Sequence, residues 1–134
     1  MKTLTVCFVL FAQSAFALIG ENKKQLEATY GRPRGSRTAA GGGRVYTYIA
    51  HGFTIHVRLI GGISTTEWFE PLDKSRFTIE DVKRILELSA EKGQTWRSKR
   101  VQPNWINWAN WIRSDDKVMA VSSPRMVSTQ LVKL

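Results

Sequence analysis

The chain has 134 residues, 20 Lys and Arg against 11 Asp and Glu for a formal net charge of +9, and a single Cys. Its length is that of one domain, and its 43% hydrophobic and 23% charged content excludes wholesale disorder and collagen-like repeats. With Cys7 alone, a disulfide framework is excluded as well.

The first 17 residues read as a targeting segment. Lys2 supplies a positive start, Leu4 to Phe11 form a short apolar run broken only by Thr5, and Ala15, Phe16 and Ala17 make an A-x-A cleavage site. That pattern predicts a cleavable secretory signal over 1–17 and one exported domain over 18–134, periplasmic or extracellular. Cys7 leaves with the signal. No later apolar run reaches the ~20 residues of a membrane-spanning helix.

Asn22 and Gln25 have capping-box spacing, and Leu26 and Tyr30 lie at i, i+4 on one face of the helix that follows. Gly31 and Pro33 end that helix after about eight residues. Residues 34–43, RGSRTAAGGG, read as a flexible loop; the three glycines lack the Lys-Ser/Thr of a phosphate-binding loop. Three strands are predicted next, over 44–49, 53–60 and 63–70, with His51-Gly52 and Gly61-Gly62 as tight turns and Pro71 as the stop.

Two-residue turns set a register. They pair Tyr48 with Ile55 and Tyr46 with Val57, then Ile60 with Ile63, Arg58 with Thr65, His56 with Glu67 and Ile55 with Trp68. One face then carries Tyr46, Tyr48, Phe53, Ile55, Val57, Leu59 and Trp68 as core. The other carries Thr47, His56, Arg58, Thr65 and Glu67, framed by Val45, Ile49, Ile60, Ile63 and Phe69. A slip of one residue would invert the assignment.

Thr78 caps an amphipathic helix over 79–92, with Ile79, Val82, Ile85 and Leu86 on one stripe and Gly93 as its stop. Trp96, Trp105, Trp108 and Trp111 crowd the Trp- and Asn-rich segment beyond, which also contains Pro103. A short strand ends near Arg113, Asp115-Asp116 turns the chain, and strands over 118–121 and 126–132 flank a turn at Ser123-Pro124. No internal repeat is visible. The expected fold class is α+β: an antiparallel meander with one amphipathic helix packed on one face and a short N-terminal helix.

Charge is uneven. Residues 28–66 contain no acid and five Arg, and 92–114 contain no acid and five Lys and Arg. Such stretches attract anionic partners. Catalytic signatures are missing. The two histidines, His51 and His56, do not converge with other ligands on a metal site. There is no G-x-S-x-G elbow, and Glu67 and Glu70 point to opposite faces of a strand. No enzyme, metal or cofactor is expected, and no RNA- or DNA-binding signature is present. The candidate binding residues are His56, Arg58, Glu67 and Phe69 on the open sheet face, with Trp105 and Trp108 as stacking platforms.

One resemblance adds to this reading. A helix ending in Tyr30-Gly31-x-Pro33, a basic loop, and a sheet opening on Val45-Tyr46-x-Tyr48 resemble the small exported bacterial domains of the SmpA/OmlA and β-lactamase-inhibitor-protein-like scaffold, over residues 21–70. The chain departs from it in having no lipid-anchor Cys after the signal and one short helix before the sheet. The resemblance implies non-catalytic protein binding in the cell envelope. The expected function is therefore a binding module of the bacterial envelope or exterior, with a protein as partner; the alternative is an anionic polymer or carbohydrate held through Trp and Arg/Lys.

Overall fold

A computed structural model describes residues 19–73, 75–89, 94–101, 109–113, 117–123 and 126–131. The expected signal, the Gly93 helix stop, the turns at 115–116 and 123–124, and Trp105 and Trp108 lie outside the described residues or straddle their limits.

Helix α1 spans Lys23–Tyr30 and begins as its sequence dictates. The Asn22 side chain accepts from the Gln25 N–H at 3.1 Å, and the Gln25 side chain accepts from the Asn22 N–H at 2.9 Å. Two otherwise orphaned donors are satisfied at once. Gly31, at φ 81°, closes the other end by donating its N–H to the Glu27 carbonyl. Helix α2 spans Ile79–Ser89. Thr78 and Asp81 form the same reciprocal bonds at its start, at 3.0 and 3.1 Å. The acids Glu80 and Asp81 in its first turn face the positive end of the helix dipole.

Among the described residues eight strands make one antiparallel sheet: β1 Gly35–Thr38, β2 Arg44–Ala50, β3 Phe53–Ile60, β4 Ile63–Pro71, β5 Trp96–Val101, β6 Ala109–Arg113, β7 Val118–Ser123 and β8 Met126–Leu131. Their spatial order is β1-β2-β3-β4-β8-β7-β6-β5. The molecule is thus α+β, a helix followed by a four-strand meander, twice over, with β4 and β8 meeting antiparallel at the centre. This repeat exists in topology and has no counterpart in residue identity.

Two elements depart from the sequence reading. The stretch 34–43 is not a flexible loop: it contains β1. Its glycines form a hairpin turn, with Gly41, Gly42 and Gly43 all at positive φ and Ala39 N–H bonded to the Gly43 carbonyl. A Cβ on Gly43 would run into the Leu59 carbonyl oxygen, so the close approach of β2 to β3 requires glycine there. The Arg44 guanidinium then fastens β1 by donating to Ser36 Oγ at 2.9 and 3.1 Å. The Trp-rich segment also holds a strand, β5, to which the sequence reading assigns no element.

The third departure decides the faces. The β2–β3 register is as expected, Tyr48 with Ile55 and Tyr46 with Val57. So are Ile60 with Ile63 and the two-residue turn between them. A bulge between Arg58 and Leu59 then absorbs one extra residue of β4. Beyond it Arg58 pairs with Thr66, Val57 with Glu67, His56 with Trp68 and Ile55 with Phe69. The expected pairs Arg58–Thr65, His56–Glu67 and Ile55–Trp68 are therefore corrected by one residue. Because side chains alternate, Glu67 and Phe69 turn into the core and Trp68 turns out. One buried cluster joins Leu26 and Tyr30 of α1, Tyr48, Phe53, Ile55, Val57, Leu59, Phe69 and Val127 of the sheet, and Ile85 of α2.

Candidate functional site

The four expected site residues among the described ones do not share one surface. Glu67 and Phe69 are buried, at 0% and 1% exposure, and are withdrawn from any surface. Trp105 and Trp108 lie outside the described residues. His56 and Arg58 remain together on the open face of β3.

His56 is held across three strands. Its Nδ1 lies 2.9 Å from Thr47 Oγ1 on β2, and its Nε2 lies 3.2 Å from Glu70 Oε2 on β4. A hydroxyl, an imidazole and a carboxylate in that order is an arrangement in which the imidazole can take the hydroxyl proton while the carboxylate orients it. Thr47, however, sits mid-strand in β2, between β1 and β3, where peptide N–H groups lie in the sheet plane rather than converging on an oxyanion. The arrangement ties the strands and presents a half-buried polar centre. Arg58 is fixed as well: its Nε and Nη2 donate to the Gly42 carbonyl at 3.0 and 2.7 Å.

The backbone pairings carry this centre across the whole sheet. One line of partners runs Gly35, Thr47, His56, Trp68, Ser128, Val121, Asn110, Arg100. The next runs Arg37, Val45, Arg58, Thr66, Gln130, Met119, Ile112, Arg97. Neither line contains an acid, but Val45 in the second is buried at 1% exposure and Glu70 lies beside the first on the same face. Ile49, Ile60 and Ile63 on the same face are 43%, 47% and 41% exposed. Trp68 and Glu70 were missed as site residues because the stretch STTEWFE has no clean alternation, and nothing in it announces a bulge.

On the core side, Glu67 replaces the apolar residue the position calls for. Its carboxylate accepts from Tyr30 Oη at 3.2 Å and from Thr129 Oγ1 at 3.5 Å. The neighbouring Tyr48 hydroxyl is buried with no hydrogen-bond partner among the described residues. Its ionisation is pushed up to about 12, by burial first and then by the negative ends of Glu27, Tyr46 and Glu67.

A recess of about 380 Å³ opens beside Gly52, Phe53, Pro71, Leu72, Asp73, Ser75 and Asp81. Both of its carboxylates are engaged locally: Asp73 accepts from the Ser75 N–H, and Asp81 caps α2. Bonding to Ser75 holds the Asp73 carboxyl below the usual carboxylate range. Among the described residues no three His, Cys, Asp or Glu side chains are grouped to hold a metal ion, and no helix is long and apolar enough to cross a membrane. Comparison with protein-family models, with curated proteins and with solved structures finds no match.

Proposed function

We propose that the chain is a non-enzymatic binding module, exported to the bacterial envelope or exterior, that engages a protein partner through the open face of its sheet. The observation that carries this reading is the composition of that face. Trp68, Arg58, His56 and Thr47 lie at its centre, with exposed Ile49, Ile60 and Ile63 around them. Arg and aromatic side chains are enriched at protein interfaces, and Arg58 and Trp68 stand together on this face, with Glu70 bonded to His56 beside them. In this reading α2 packs on the opposite face, through the stripe that includes Ile85, and leaves the binding face uncovered. The A-x-A leader and the resemblance of residues 21–70 to small exported envelope domains support the location.

A second reading, a binder of anionic polymer or carbohydrate, is favoured by the net charge of +9 and the acid-free stretches. One comparison separates the two. Immobilised wild type and the double variant Trp68→Ala with Arg58→Ala are offered a bacterial envelope extract and, in parallel, a glycan array. The protein reading expects a protein that wild type retains and the variant releases, each truncated anchor weakening binding by roughly tenfold or more. Equal retention by a correctly folded variant would eliminate this face. Glycan binding without protein retention would favour the second reading.

A further inference from the structure

The edge of the sheet at β1 is a second, separate surface. β1 is the outermost strand, and all four of its residues are exposed. It lies inside the acid-free stretch 28–66; Arg37 within it, and Arg32 and Arg34 in the segment leading into it, are exposed. Among the described residues none of these three has an acidic partner. Arg44 and Arg58 complete the basic end, but their guanidinium groups are committed to Ser36 and to the Gly42 carbonyl, where they brace the hairpin. The edge is therefore held in strand conformation by two arginines and charged by three others.

An exposed strand edge offers a row of peptide N–H and C=O groups to any extended chain. The Ala39 N–H bonds across to the Gly43 carbonyl, so by strand alternation the Thr38 N–H points away from β2, toward the open side. A second copy of this chain is a poor occupant, because its own arginines would be placed against these. A sulfated or phosphorylated polymer would satisfy the charge and leave the peptide groups unpaired. An acidic extended polypeptide satisfies both. We propose that β1 is a docking edge for an acidic segment of a protein partner, which adds as a ninth strand with its carboxylates against Arg32, Arg34 and Arg37. The proposal uses neither Trp68 nor His56, but it shares Arg37 and the hairpin brace Arg58 with the open face, so Trp68→Ala alone separates the two surfaces.

The test uses the full chain and three probes: a twelve-residue peptide alternating Glu and Thr, the same peptide with alternate backbone nitrogens methylated, and a sulfated polysaccharide. Affinities are read by titration, with circular dichroism melts confirming folding. The unmodified peptide is expected to bind, more weakly as salt rises. Arg34→Glu with Arg37→Glu should reduce its affinity by at least about tenfold, and Thr38→Pro and backbone methylation should each do likewise, whereas Thr38→Ala and Trp68→Ala leave it unchanged. The methylated peptide keeps the ladder testable on the unaltered protein should Thr38→Pro fail to fold. No binding of the unmodified peptide would overturn the proposal. Binding that survives both methylation and Thr38→Pro would overturn strand addition in favour of plain charge attraction. Binding of the polysaccharide alone would replace a protein partner by a polymer.

Discussion

At the scale of single residues, the chain puts unusual side chains where backbone or packing demands others. His51 stands at φ 56°, the only non-glycine with positive φ among the described residues, in the first position of the turn between β2 and β3. Asn tolerates that conformation better. Partial burial, and then the positive charge of Arg84, hold the His51 imidazolium pKa below its usual value. The unfolded chain therefore takes up a proton more readily than the folded one, and the contribution of His51 to stability is present above about pH 6.5 and lost as pH falls below it. His51→Asn is expected to raise stability at neutral pH slightly and to flatten the decline as pH falls below about 6.5, read from urea midpoints across that decline. Glu67 is the second case. Its carboxylate gathers the Tyr30 and Thr129 hydroxyls in the core. Glu67→Ala should destabilise by about 3 kcal/mol, because buried hydroxyls lose their acceptor, while Glu67→Gln, which keeps a carbonyl oxygen there, should cost less. Chemical denaturation of Glu67→Ala, Glu67→Gln and the apolar, similar-sized Glu67→Met side by side distinguishes an acceptor role from mere volume.

At the scale of elements, one residue of β4 decides what the sheet shows to solvent. The extra residue lies between Ser64, which pairs with Leu59, and Thr66, which pairs with Arg58. Thr65 donates its hydroxyl to the Arg58 carbonyl at 3.4 Å across that irregularity. Deleting Thr65 leaves every pair on either side as it is and simply straightens the hairpin. The deletion variant is therefore expected to fold with Glu67 still inside and Trp68 still outside, at a loss of about 1 kcal/mol, the worth of one hydrogen bond. Tryptophan quenching and a thermal melt check it; a large loss of stability would mean that the bulge is itself required. The turns on either side were legible in advance, since His51-Gly52 and Gly61-Gly62 have the residues that two-residue hairpins need, and both adopt positive φ. The bulge was not legible. Its residues, Ser64, Thr65 and Thr66, suit a strand on either face, so only the packing of Phe69 and Val57 against α1 and the rest of the core selects one register.

At the scale of the molecule, the two helix-plus-meander halves share a single core. Ile85 and Val127, from the second half, lie in the same buried cluster as Leu26, Tyr30, Tyr48 and Ile55 from the first. β4 and β8 pair through Thr66 to Phe69 and Gln130 to Val127. A fragment covering 19–72 would keep α1 to β4 but expose the β4 edge and open the core where those two residues sit. We expect it to show no cooperative thermal transition by circular dichroism, as for a small sheet with one uncovered face. A sharp transition would mean that the first half carries a sufficient core of its own.

The sequence by itself determined the local structure of this protein. The Asn22 and Thr78 caps, the Gly31 stop, the hairpin dipeptides and the alternation from Phe53 to Leu59 act over a few residues, and each element they predict is present. What only the tertiary structure decided was every relation between distant residues. The β4–β8 seam lies between residues some sixty positions apart, which no local pattern encodes. β1 becomes a strand because Arg44 and the glycine turn bring it against β2, although its four residues have no apolar alternation of their own. The candidate site follows the same division: His56 and Arg58 were readable from the alternation of β3, whereas Trp68 reached the surface and Glu67 and Phe69 left it through a bulge that trades one local register for a better-filled core.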